Sequence, residues 1–499
     1  MTSHTGLALL AGLALGATVL AFRLGWQEYW WDEHVTLMFT RVDWSNLMID
    51  YWDLDTHRPV YYGLQKVWNG FFGESIAATR ALPGALMLGA AVAIYFAARA
   101  ITPGSYALTT LLIFVTSPMF VYQGREIRGY GLMNLGLTLA LVCLVLVFQR
   151  VERRPSPDRA EILLWVGFAA SMALAFYANS AAIFVAATLG LWILAMTFIG
   201  GVARRFLWGG LAAGGLFTLL IMPALIPFFS HLTGTLGDTF WVPQTSFGWI
   251  YGQTLRVYSY PQWIKLPMAL LMLWGAWSLR RRPRELSLIL AVVVGFPTLV
   301  LVLSFLKPLF IARVIAWSGL GASLLVAAGL LALRGRGLRA AGIALISAAH
   351  IGALANFYPE RRETPPYLAF APILDGFNPT SDRLILGARI MEPALRWYYP
   401  DLMGGEVLAF NYSDSQQNVI DDAFVSRFVP RAAARRLAIE HRGERLFVLR
   451  EREPRFRVAP GGGTDAALTR LTKGRPHLLR EDAGHLRLDI YGPAASRSE

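Results

Sequence analysis

The sequence predicts an all-α polytopic membrane domain over residues 1–357 and a small soluble α/β domain over residues 358–499. Three observations carry that prediction. Only 16% of the 499 residues are charged and 55% are hydrophobic, where soluble proteins carry roughly 25% charged side chains. Apolar stretches near the ~20 residues that a helix needs to cross the hydrocarbon core recur as far as residue 357. Composition then changes abruptly after Asn356.

The candidate spans number about eleven: 5–24, 77–98, 105–122, 131–148, 161–178, 180–200, 207–228, 264–279, 286–305, 314–333 and 340–357. The turn at Asn179 between two of them is very short, and 264–279 is barely long enough. The run from Leu7 to Phe22 lacks the basic residues that open a signal peptide and is followed by Arg23, so it reads as an uncleaved first span. Alternate connections carry Arg150/Arg153/Arg154/Arg159, Arg204/Arg205, Arg280/Arg281/Arg282/Arg284 and Arg334/Arg336/Arg339. By the positive-inside tendency these are cytoplasmic. Loops 25–76, 123–130, 229–263 and 306–313, and everything after 357, are then external.

Charge is uneven too. Residues 1–357 hold 25 basic and 14 acidic side chains, and residues 358–499 hold 21 and 19. The basic excess therefore belongs to the membrane half, which fits topology and lipid headgroups and not nucleic acid. The one cysteine, Cys143, lies in an apolar run and excludes a disulfide framework or a Cys-based metal site.

The segment Tyr358-Pro359-Glu360-Arg361-Arg362-Glu363-Thr364-Pro365-Pro366 reads as a linker. Beyond it come strand-like runs at Leu384–Leu386, Val407–Phe410, Leu446–Leu449 and Leu486–Ile490, with helical patterns at Ile390–Tyr399 and Val425–His441. Strands alternating with helices predict an α/β domain. Gly461-Gly462-Gly463 follows Pro460 and reads as a flexible turn, not a phosphate loop. Lid, acceptor recognition and scaffolding are all open roles for this domain.

Chemistry concentrates in the first external loop. Eight of the fourteen carboxylates of residues 1–357 lie there: Glu28, Asp32, Glu33, Asp43, Asp50, Asp53, Asp55 and Glu74. The pair Asp32-Glu33 follows Trp26, Tyr29, Trp30 and Trp31. The rings suit a membrane interface, and the acids alone suit a solvated loop. A carboxylate partly desolvated among indoles is also a better proton acceptor. Further on, Asp53-Leu54-Asp55-Thr56-His57-Arg58-Pro59-Val60-Tyr61-Tyr62 ends at a proline able to start a helix. Its acids and His57 could serve a divalent cation, although their spacing matches no recognised metal pattern. Hydrogen bonding within the loop is the plainer role for His57.

Basic residues also stand on the outer side, where topology does not call for them. They are Arg125 and Arg128, in Ser117-Pro118-Met119-Phe120-Val121-Tyr122-Gln123-Gly124-Arg125-Glu126-Ile127-Arg128-Gly129-Tyr130, and Lys307 and Arg313, in Lys307-Pro308-Leu309-Phe310-Ile311-Ala312-Arg313. Charges at span ends are costly unless paired, and converging guanidinium and ammonium groups suit a phosphate. Snorkelling to headgroups, or pairing with Glu126 and the loop acids, is the alternative.

In these four elements the chain resembles the C-type glycosyltransferases of the protein-mannosyltransferase and aminoarabinose-transferase kind, multispanning enzymes that use polyprenyl-phosphate sugars. The likeness rests on Asp32-Glu33 after the first span, on His57-Arg58-Pro59-Val60-Tyr61-Tyr62, on Ser117-Pro118 with Arg125, Arg128 and Tyr130, and on Lys307-Pro308 with Phe310 and Arg313. It covers about residues 5–330. Two positions depart from the family: it often has a second proline and an aliphatic residue where this chain has Arg58 and Val60, and a tyrosine where Val314 follows Arg313.

The resemblance implies an inverting transfer of a sugar from a polyprenyl-phosphate donor to a hydroxyl of a glycan, lipid or protein, at the outer face of the cytoplasmic membrane. It implies Asp32 as base with Glu33 as its neighbour or a second acid. Arg125, Arg128, Lys307 and Arg313 become phosphate ligands, with Tyr130, Asp55, His57 and Arg58 as further substrate-binding residues. A flippase for a lipid-linked intermediate, or a membrane scaffold, are the competing classes. A transporter is expected to keep ionisable groups near the bilayer midplane, whereas this chain keeps nearly all of its charge at span ends.

Overall fold

The computed structural model describes residues 3–50, 52, 59–102, 104–234, 242, 245–259, 261–357, 367–410, 424–452 and 463–494. The chain forms two compact units. One holds Met1–Trp26, Thr56–Phe229 and Val242–Glu360; the other holds Gln27–Asp55, Ser230–Trp241 and Arg361–Glu499.

The first unit is helical, and each of the eleven apolar windows falls on helix. Among the described residues six helices are long and apolar enough to cross a bilayer: Ile76–Ile101, Tyr130–Arg153, Arg159–Ala178, Arg204–Ile226, Pro283–Ser304 and Arg336–Ala355. The window 105–122 is a bent pair, Ser105–Thr116 and Pro118–Gly124, meeting at 61°. Ser117 sets the bend: its hydroxyl accepts from Phe120 N (3.3 Å) and donates to Phe114 O (2.8 Å), while Pro118 opens the second piece without needing a donor. The other windows give shorter helices, Ser3–Ala21, Ala182–Phe198, Lys265–Ser278 and Ser318–Leu331. Six or seven spans by length and apolarity, with these shorter helices beside them, make the chain a multi-pass membrane protein.

Small residues let two of the short helices pack closely. A Cβ on Gly275 would stand 1.9 Å from Leu325 O, and one on Gly329 2.2 Å from Leu271 O. The helices Lys265–Ser278 and Ser318–Leu331 therefore touch backbone to backbone, as glycines permit within a bilayer. At one end of the bundle the clustered arginines tie helix ends together. Arg150 binds Asp158 (2.7 Å), Arg205 binds Val151 O (2.8 Å) and Arg284 pairs with Glu152.

The second unit contains a six-stranded sheet. Its strands are β1 Asp382–Leu386, β2 Val407–Ala409, β3 Arg427–Phe428, β4 Arg445–Glu451, β5 His477–Ala483 and β6 Leu486–Tyr491. They lie in the order β3-β2-β1-β4-β6-β5. The first four are parallel, with Leu384 opposite both Val407 and Phe447, while β6 and β5 are antiparallel. Alternation puts Leu384, Leu386, Phe447 and Leu449 into one core with Phe370 and Leu395, and Ile385, Leu446 and Val448 into another with Leu437 and Leu468. Strands buried on both faces read as continuous apolar runs, which is why β1, β2 and β4 stood out in the sequence, whereas β6 stood out by alternating Leu486, Leu488 and Ile490 with Arg487 and Asp489.

Some local expectations needed correction. The helical pattern over Val425–His441 overran: Pro430 precedes the helix Ala434–Glu440, and Arg427–Phe428 is a strand. Strand β5 is almost entirely exposed and so leaves no apolar signature. The helix Gly463–Thr472 begins at the last of three glycines read as a turn, and the other two lie outside the described residues.

Candidate active site

The acid pair opens a helix, not a loose loop. The helix Trp31–Arg41 follows extended Trp30 (φ −95°, ψ 173°), and Glu33 reaches back so that its Oε2 accepts from Trp30 N at 3.1 Å. Asp32 and Glu33 sit in the first turn, where the helix dipole favours a carboxylate. Asp32 is 6% exposed and Glu33 1% exposed. Glu33 is thus partly committed to holding the turn, and Asp32 lies beside it on a nearly closed surface. The surrounding rings are not a simple interfacial belt. Trp26 is exposed, but Tyr29 is buried edge-on to Trp397 (5.7 Å) and to His34 (5.7 Å).

The basic set belongs to the first unit. Arg125 is 4% exposed and fastens the turn after the first helix, donating to Phe22 O (2.9 Å) and Arg23 O (2.7 Å). That turn holds Arg23 at φ 54°, a left-handed conformation unfavourable for a side chain with a Cβ. Buried Arg80 grips the same turn through Leu24 O at 3.4 Å. An arginine within an apolar span was its sequence signal. Arg128, 6% exposed, donates to the hydroxyl of Tyr62 at 3.3 Å. Tyr130 is buried at the start of the next helix, and its carbonyl accepts from Asn134 Nδ2 at 2.8 Å.

Lys307 is half-buried on the segment that joins Ser304 to the short helix Ala312–Ile315, and Arg313, also half-buried, lies in that helix. An amphipathic helix that sequence reading passed over, Phe247–Tyr258, grips that segment. Trp249 Nε1 donates to Phe310 O (2.7 Å), and Gln253 Oε1 accepts from Ala312 N (2.8 Å). Their spacing of four residues, with Phe247 and Tyr251 exposed elsewhere on the helix, was the available sign. Burial lowers the Lys307 ammonium below its ordinary pKa.

Asp55, His57 and Arg58 lie outside the described residues, and the helix after them runs Pro59–Phe72 as the proline implied. Among the described residues no three His, Cys, Asp or Glu side chains gather as a metal site. The membrane unit also holds a hollow with about 520 Å³ of empty space, part of it open to solvent. Ile113, Met268 and Leu320 give it apolar walls, and Ser117, Gln123 and Arg256 give it polar ones.

No protein-family model matches this chain, and no curated protein sequence matches it. Solved structures do. It is similar to ArnT from Cupriavidus metallidurans bound to undecaprenyl phosphate, at 14% identity over 98% of both chains, with a TM-score of 0.61. The oligosaccharyltransferase AglB from Archaeoglobus fulgidus, in complex with an inhibitory peptide and a dolichol-phosphate, matches at 12% identity over 78% of this chain and 63% of its own, with a TM-score of 0.53. The arabinofuranosyltransferase AftD from Mycobacteria matches at 14% identity over the whole of this chain and 42% of its own, also at 0.53. This chain shares its fold with these three solved structures.

Proposed function

We propose that this protein is an inverting glycosyltransferase that moves a sugar from a polyprenyl-phosphate donor to an acceptor hydroxyl. The observation that carries the proposal is Asp32, a 6% exposed carboxylate in the first turn of a helix, on a chain with this fold. Asp32 takes the proton of the acceptor hydroxyl as its oxygen attacks the anomeric carbon. The bond from that carbon to the phosphate oxygen breaks on the opposite side, so the configuration inverts. Charge then develops on the departing lipid phosphate, and preorganised cations stabilise it. Arg128, Lys307 and Arg313 take that role. Arg125 acts on the phosphate only in addition to its hold on Phe22 and Arg23.

Tyr130, Asp55, His57 and Arg58 complete the substrate contacts in this reading. The hollow lined by Ile113, Met268, Leu320 and Arg256 offers the mix of apolar and cationic surface that the lipid end of such a donor needs. In this reading the reaction takes place at the outer face of the cytoplasmic membrane, which the positive-inside tendency of the arginine-rich connections supports.

The test is transfer of radiolabelled sugar from undecaprenyl-phosphate mannose, glucose, arabinose and aminoarabinose, with wild type and Asp32→Asn. Donor-dependent transfer or hydrolysis that the substitution abolishes supports the assignment. Equal activity in both proteins removes Asp32 as base, and absence of donor binding in the wild type removes the enzyme reading.

A further inference from the structure

The helix Trp31–Arg41 has only 11 residues, and helices shorter than about 12–15 residues are marginal in water on their own. Something must hold it if its carboxylates are to keep a fixed place. Its own unit supplies the contacts. Trp31 Nε1 donates to Ile390 O at 2.6 Å. His34 stands edge-on to Tyr398 (5.5 Å) and Tyr367 (6.1 Å), which stack on each other at 22°. The Tyr398 hydroxyl donates to Glu28 Oε1 at 3.4 Å. At the far end of the helix the Arg41 guanidinium lies 3.8 Å above the Trp397 ring. Both ends are therefore anchored on residues 390–398, the helix Glu392–Tyr398 and the turn before it.

That anchor is itself fixed. Glu392 is fully buried and accepts from Val425 N (2.7 Å) and Ser426 N (3.0 Å). Arg389 donates to Ser426 O at 2.7 Å. The anchor follows β1, which lies between β2 and β4 where the strand order reverses. In open α/β sheets the crevice beyond the carboxyl ends of the strands at such a point is where ligands bind. Here a carbonyl beyond that end of β1 receives the Trp31 indole.

We infer that the α/β unit serves as the positioning device for the acid pair, with Trp31, Trp397 and Tyr398 as its positioning residues. This rests on the reading of Asp32 as the base. A base must lie within hydrogen-bond reach of the proton it takes, and a misplacement of about 1 Å costs ~100-fold in rate. The domain then contributes to the chemical step by fixing the place of the acid pair.

The experiment uses the full chain in lipid nanodiscs, with hydrogen exchange of the 31–41 amides and transfer kinetics from the undecaprenyl-phosphate sugar that serves best. Trp397→Ala should raise exchange across 31–41 and lower kcat ~10- to 100-fold, with KM for the donor within about twofold. Trp397→Phe keeps an aromatic face for Tyr29 and Arg41 and should restore most of both. Trp31→Phe, which removes only the indole hydrogen bond, should lower kcat about 3- to 10-fold. Unchanged exchange in Trp397→Ala overturns the inference, and so does raised exchange with unchanged kcat. If Trp397→Ala fails to fold, the same two criteria apply to Trp31→Phe. Activity retained by Asp32→Asn would instead sink the choice of base, which the exchange data do not test.

Discussion

The two regions of this chain, residues 1–357 and 358–499, balance their cations differently. In residues 358–499, where 21 basic side chains face 19 acidic ones, arginines close on carboxylates: Arg445 on Asp382, Arg487 on Asp482 and Arg480 on Asp489, each at 2.7 Å. In residues 1–357 there are 25 basic and 14 acidic side chains, so internal pairing cannot neutralise them all. Pairs such as Arg150 with Asp158 form at the end that carries the basic loops, whereas Arg125, which fastens the turn after the first helix, spends two nitrogens on carbonyl oxygens. The α/β region balances most of its charge internally. A membrane half can keep an excess because headgroups and lipid phosphates supply the anions from outside.

The acid helix breaks or keeps that contrast most sharply, because it is a carboxylate-rich element in a sequence half short of acid. Asp32→Asn should cut turnover by about 10²- to 10⁴-fold, the usual worth of a positioned base, while donor affinity holds. Glu33→Gln keeps an oxygen to accept from Trp30 N and should cost far less in rate. Steady-state kinetics alongside donor binding separates the two. Equal losses would mean that the pair acts as one unit and that Asp32 has no special role.

Much of this was legible in the sequence, for identifiable reasons. The membrane helices announce themselves because lipid demands continuous apolar length, β1, β2 and β4 because central strands bury both faces, and β6 because its apolar residues alternate. Arg128 and Lys307 were visible as charges at span ends. What stayed hidden depends on partners distant in the chain. Nothing near Trp31 says that its indole meets Ile390, and nothing near Arg125 says that it holds Phe22 and Arg23. Exposed β5 and the helix Phe247–Tyr258 lacked the length or apolarity to register. Asp55, His57 and Arg58 remain readable only as sequence.

Within the basic set the contrast sharpens between two neighbours. Arg128→Ala should weaken donor binding by about 10- to 100-fold, the loss of one charge-assisted contact to phosphate. Arg125→Ala should instead destabilise the protein by about 2 kcal/mol by orphaning the carbonyls of Phe22 and Arg23. Thermal unfolding in detergent, paired with donor titration, tells these apart. If Arg125→Ala loses only affinity, its role is phosphate binding and the structural reading is wrong.

Lys307 gives a smaller, pH-dependent effect. Burial lowers its pKa below the ordinary 10.5, so its ammonium is full at lower pH and is lost early as pH rises. Donor affinity should therefore fall from neutral to alkaline pH. Lys307→Arg, whose guanidinium stays charged throughout, should flatten the decline. An identical pH profile in both proteins would remove Lys307 from the phosphate site.

The smallest expected effect lies in the α/β half and tests whether its charge balance is structural. Asp489 is 1% exposed and accepts from Arg480 (2.7 Å) and His477 (2.9 Å), with Arg450 at 3.4 Å. Burial alone would raise its pKa, but those partners outweigh burial and hold it below the usual carboxylate value. A carboxylate lowered in this way stabilises the fold above its unfolded pKa, and that contribution disappears as pH falls through the lowered folded value. Asp489→Asn should cost about 1 kcal/mol at neutral pH, tempered by the exposure of Arg480 and His477. The deficit should shrink on acidification, because the wild type then loses the same ionised contact. Hydrogen exchange of the β4 and β6 amides in the full chain, followed from neutral to acidic pH, measures it. A deficit that stays constant with pH would mean that shape, and not charge, is what Asp489 contributes.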